Sequence, residues 1–325
     1  MVTRPHFVLY GHAMKKALAA AALMFAAVPL AAQNDAPLPP VAVDAFVAAL
    51  RDAALDDNIA WSIVEGLTTE VGPRIAGSPA EARARDWSVR ELRRLGFANV
   101  RVEEFPVTYF NRGAESAQIL APFPQNLVVT ALGGSGFTPP GGVTGQVIGF
   151  DSIDALQLAP DSAVRGKIVF VDHRMAPTQD GSGYGQFGAP RRQGPTIASR
   201  KGALAIVVRS IGTDRNRTPH TGSMSFAEGV APIPAGALSV PDADQLARVL
   251  KRGRPVSLRL VLEGSRTPST SGNVIADVPG RDPSLPPVLV ACHLDSWDAG
   301  TGAVDDGAGC AIVAASAKRI MDAGR

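Results

Sequence analysis

Apolar residues recur at helical spacing from Val43 to Leu55 and again from Glu81 to Leu95. The second run closes on Gly96, a residue suited to ending a helix, and carries Glu and Arg at spacings that pair along an outer face. Val100–Val107 alternates and reads as a strand. From about Gly133 to Glu263 glycine and proline are frequent. Short β-branched runs at 143–150, 167–172, 203–208 and 256–262 there predict a compact β-rich unit with a few helices. Strand-like patterning returns at 273–277 and in Pro287–Cys292, a short apolar run with the look of a buried strand of a mainly parallel sheet. Gly307–Ile320 then reads as an apolar helix. The fold class expected is α/β, a mixed sheet flanked by helices.

At 325 residues, with 46% hydrophobic and 19% charged residues, the chain has the composition of a globular protein. Met14-Lys15-Lys16 followed by the apolar stretch Ala17–Leu30 has the form of a secretory signal, too short to span a bilayer, with cleavage expected near Gln33. That predicts a secreted or periplasmic protein with no stable membrane span. Of the 32 Lys and Arg, three (Arg4, Lys15, Lys16) precede Gln33, leaving 29 against 30 Asp and Glu. Such a balance argues against a nucleic-acid partner. Cys292 and Cys310 could pair in an oxidising compartment, but their places inside a predicted buried strand and an apolar helix favour two free buried thiols. The glycine-rich segment Asp180–Gln193 lacks the spacing of a phosphate cradle and reads as a surface loop.

The segment Cys292–Gly309, CHLDSWDAGTGAVDDGAG, holds the densest chemistry. His293 stands at the end of a predicted strand. Asp295, two residues on, can accept the imidazole N–H that faces away from a metal. Asp305 and Asp306 follow a glycine-rich loop at the start of a helix. An Asp-Asp before a helix is ordinarily a cap and a lone His is ordinarily structural. The whole constellation is more specific than its parts.

With HLDSWD and DDGAG in hand, the chain resembles the co-catalytic zinc exopeptidases of the aminopeptidase and glutamate carboxypeptidase type. Val71–Trp87, VGPRIAGSPAEARARDW, resembles the opening of their catalytic domain; Gly202–Gly222 and Ile233–Leu246 resemble a protease-associated insertion. The resemblance implies two Zn2+ ions in a complete site, His293 as a ligand, and Asp305 as the bridging ligand, often through a cis peptide to the next residue. Asp295, by its spacing, is the catalytic-site residue expected to orient His293, and the resemblance implies His220 in Thr218–Gly222 as a substrate contact and a dipeptide or short peptide as substrate. A homodimer is a further expectation. The implied arrangement is a signal peptide over 1–32, peptidase segments over 33–132 and 266–325, and an insertion over 133–265.

Such enzymes also use a Glu-Glu pair, another acidic ligand and a second His, for which Asp306–Arg325 has no place. Glu103-Glu104 lies in a strand and reads as a solvated edge rather than as that pair. The sequence is therefore expected to hold one half of such a site and to be inactive alone. The rival readings are a non-catalytic binding protein with a vestigial metal site, and an aminopeptidase of the same fold.

Overall fold

The structure, a computed structural model, describes residues 44–324. The predicted signal segment lies outside them. The described residues fall into two units that meet in sequence between Arg51 and Asp52. Helix Ala45–Leu55 begins in the first; everything below belongs to the second.

Eight strands form one mixed sheet: β1 (Ala98–Ala121), β2 (Gln125–Leu127), β3 (Val129–Ala131), β4 (Val143–Phe150), β5 (Ile168–Val171), β6 (Ala205–Arg209), β7 (Ala235–Leu238) and β8 (Ser257–Asp277). Their order is β2-β1-β8-β4-β5-β6-β7-β3. The β4-β5-β6-β7 centre is parallel, and the remaining pairings are antiparallel. Residue alternation explains why β5 and residues 205–208 of β6 are apolar. Ile168, Phe170, Ala205 and Val207 point into one core with helix Val240–Leu250, while Val169, Val171, Ile206 and Val208 point into another with helices Ile153–Leu158 and Ala189–Arg200. A strand covered on both faces has no polar side to present.

The outer part of the sheet is a long ribbon. β1 and β8 pair antiparallel from Ala98 opposite Asp277 to Ala121 opposite Ser257. The patches predicted at 256–262 and 273–277 are thus two ends of one strand, and the expected boundary between residues 265 and 266 falls inside it. Glu103 and Glu104 are solvated on β1, bonded to Arg101 and Arg85 at 3.0 and 2.9 Å.

A third core joins helices Ile59–Gly66, Pro79–Arg94 and Ala308–Asp322 through Ile63, Leu67, Ala84, Trp87 and Ala311. Helix Pro79–Arg94 starts two residues earlier than periodicity predicts because Ser78 caps it, accepting from the Glu81 N–H at 3.0 Å with Pro79 in the first turn. Gly96, at φ +88°, follows its end.

One predicted strand is absent. Pro287–Cys292 makes no ladder, and Val288, Leu289 and Val290 are 90%, 87% and 58% exposed. Among the described residues no strand lies beside it, and β-branched patterning without a ladder partner does not make a strand. The expectation of two free thiols is likewise overturned: Cys292 and Cys310 form a disulfide, with Cα atoms 5.1 Å apart. Once Cys292 leaves a sheet, the turn after it brings it back against the helix, within bridging distance.

Candidate metal centre

The segment between the two cysteines folds as a loop whose ends the disulfide joins. His293 opens it. Its Nε2 lies 2.9 Å from Asp305 Oδ1, and its Nδ1 lies 3.0 Å from the Asp295 carbonyl and 3.3 Å from Asp295 Oδ1. Asp295 therefore faces the ring nitrogen turned away from Asp305, with its main chain nearer than its carboxylate. Burial pulls the His293 pKa down, but the Asp295 carbonyl and the carboxylates of Asp295 and Asp305 outweigh it and raise the value above that of an ordinary imidazole.

Asp305 and Asp306 do not sit in the first turn of the following helix as the sequence suggests. They lie in a kinked segment, Ala303–Gly307, with non-helical backbone angles of their own, and the peptide between them is cis. Helix Ala308–Asp322 begins after it. Asp306 accepts from the His293 N–H at 3.2 Å, so it steadies the other side of the loop while Asp305 meets the ring. A Cβ at Gly309 would lie 2.1 Å from Asp306 Oδ1, which makes glycine a requirement for this approach.

His293 and Asp305 border a cavity of about 530 Å³ whose wall includes Phe110, Met224, Trp297 and Arg266. Trp297 closes on Gly133, where a Cβ would stand 2.6 Å from the indole. Asp298, the last residue of HLDSWD, is held by Arg112 of β1 at 2.7 Å. A second cavity, of about 370 Å³, lies between Trp87, Glu70 and Glu91 on the helical side and has neither donor in its lining.

An imidazole nitrogen and a carboxylate oxygen meeting at one solvent-accessible point are ligands of the type zinc takes. Their kind fits. Their number is two where zinc sites use three or four protein ligands, and among the described residues no group of three or more His, Cys, Asp and Glu side chains is placed to hold a metal ion.

His220, the expected substrate contact, is outside the cavity lining. Its Nε2 is 2.8 Å from the Tyr184 hydroxyl, and its N–H donates to Ser210 at 2.9 Å. Burial, and then the charge of Arg191, lower its pKa against the pull of Asp214.

Sequence reasoning missed Arg74. This fully buried residue donates to the carbonyls of Leu294, Thr301, Gly302 and Gly72. Its position within VGPRIAGS, an Arg among Pro, Gly and apolar residues, is the one local hint that it is buried.

The fold is thus a mixed α/β sheet flanked by helices, with one imidazole–carboxylate pair of the kind zinc takes. Residues 273–325 match the model of peptidase family M28. Carboxypeptidase Q is 35% identical in Mus musculus and in Homo sapiens over 259 residues, 79% of this chain and 54% or 53% of those proteins. A crystal structure of a peptidase M28 precursor from Shewanella amazonensis is 47% identical, with a TM-score of 0.81 over 85% of this chain and 63% of that one. The Bacillus subtilis zinc aminopeptidase, 22% identical, shares the fold at a TM-score of 0.58 over 81% and 57% of the two chains. The chain belongs to peptidase family M28, the zinc exopeptidases that include carboxypeptidase Q. It spans about half the length of the curated relatives it matches.

Proposed function

We propose that this chain carries part of the active centre of an exported zinc-dependent exopeptidase of the carboxypeptidase Q kind, acting on dipeptides or short peptides. The contact of His293 with Asp305, braced by Asp295 beside an apolar-walled cavity, is the observation that supports the reading most directly. His293 and Asp305 would hold zinc in this reading, in a site expected to take two ions when complete. Bound zinc would polarise a peptide carbonyl and supply an activated water. The protein's own part is positional. Asp295 would hold the Nδ1 proton, which leaves the Nε2 lone pair for a metal ion on the side of Asp305. Phe110, Met224 and Trp297 offer an apolar wall for a substrate side chain, and Arg266 offers a cation beside it. Further donors and a general base must join these residues for turnover. His220, engaged by Tyr184, has no part in this reading. Residues 133–265 would serve as a protease-associated insertion, and the mature protein would be secreted or periplasmic, with a homodimer as its assembly.

Zinc titration of the purified chain by calorimetry tests the assignment. Weak binding is expected, short of two tight equivalents, because two donors converge among the described residues. His293→Ala and Asp305→Ala should each abolish it. Unchanged zinc affinity in His293→Ala would refute the proposal.

A further inference from the structure

We propose that Arg74 is a positioning residue that sets the shape of the loop bearing the metal donors, so that His293 and Asp305 face each other before a metal binds. The inference rests on reading those two residues as donors. Arg74 comes from the connection between the turn Leu67–Val71 and helix Pro79–Arg94, far from the loop in sequence and buried beneath it. Its Nε donates to the Leu294 carbonyl at 2.6 Å, immediately after His293. Its Nη1 donates to Thr301 at 2.5 Å and its Nη2 to Gly302 at 3.1 Å, on the limb that leads into Asp305. The Gly302 carbonyl also accepts from the Gly307 N–H at 3.0 Å, which ties that limb to the turn holding Asp305. The main chain of Arg74 completes the clasp: its N–H donates to Ser296 Oγ and its carbonyl accepts from the Ser296 N–H, both at 3.1 Å.

One guanidinium thus grips both limbs of the loop, and the acceptors of its hydrogen bonds are all carbonyls. A buried cation without a hydrogen-bonded carboxylate is a poor source of stability. A planar fork of donors, by contrast, is well suited to fixing several peptide planes at once, which a lysine cannot copy. The fit is close: at Gly302, φ +62°, a Cβ would lie 2.3 Å from Ser296 Cβ and 3.1 Å from Arg74 Nη2.

The test compares the full chain with Arg74→Lys, Arg74→Met and a control, Arg209→Met. Arg209, at the end of β6, is also buried but binds the carboxylates of Asp172, just after β5, and Asp244, on helix Val240–Leu250. Zinc affinity is read by calorimetry, the His293 ring by NMR of the metal-free protein, and stability by thermal unfolding. Both Arg74 variants should bind zinc about 10- to 100-fold more weakly, the range seen when residues supporting a metal ligand are removed, and should shift the His293 ring signals. Arg209→Met should lower the unfolding midpoint and leave the zinc affinity and His293 signals unchanged. Arg74 variants with His293 signals and zinc affinity of the parent would overturn the proposal, as would an equal loss in Arg209→Met at an equal midpoint. Should neither Arg74 variant fold, Ser296→Ala removes only the hydroxyl facing the Arg74 N–H; unmoved His293 signals there would count against it. Zinc binding that survives His293→Ala would sink the metal reading alone, because the metal-free His293 signals still report on Arg74.

Discussion

Two apolar runs of similar composition have opposite fates. Ile168-Val-Phe-Val171 is β5, at most 1% exposed, with parallel partners on both sides and a core against each face. Val288-Leu-Val290, just before the loop of His293 and Asp305, lies unpaired and is more than half exposed throughout. The same local preference is thus fulfilled in one place and left open in the other, because a strand exists only in its ladder. The polar contacts divide the same way. In the sheet, Arg209 meets the carboxylates of Asp172 and Asp244; at the loop, Arg74 meets carbonyls. The packed region derives its order from burial, and the loop derives its order from a disulfide and directed hydrogen bonds.

The largest effect should come from the packed side. Phe170→Ala, at a 1% exposed site, should lower the free energy of unfolding by about 3–5 kcal/mol in a denaturant titration. A loss under about 1 kcal/mol would mean that β5 is less tightly enclosed than it stands here. Next comes the disulfide, which closes a sequence separation of 18 residues. Its reduction should reduce stability by about 2–4 kcal/mol and speed amide exchange across residues 293–309, while exchange in β5 and β6 stays slow under native conditions. Uniform acceleration in both regions would erase the contrast. The smallest effect belongs to the exposed run. Val290→Ser should change stability by no more than about 0.5 kcal/mol, as surface substitutions do. A loss above about 1 kcal/mol would show that the run is covered in solution.

The legible part of the fold was its local part. Periodicity placed β4 over 143–150, and Gly96 marked the end of the helix before it. Ser78 was overlooked as a cap, which cost two residues at that helix's start. Within the site, the spacing His293-x-Asp295 and the Asp305-Asp306 pair identified residues that do converge, because side chains two apart in extended backbone and the turn before a helix are constrained over short distances.

Sequence alone therefore determined the α/β class, several of the strands and helices, and the residues that converge at the loop, since each depends on a few neighbouring positions. Tertiary structure decided the rest. It joined 257–262 and 273–277 into one strand because β1 runs alongside the whole length. It paired Cys292 with Cys310 because the chain between them turns back. It chose Arg74, whose acceptors at Leu294, Thr301 and Gly302 lie 220, 227 and 228 residues away, a relation that exists only through space.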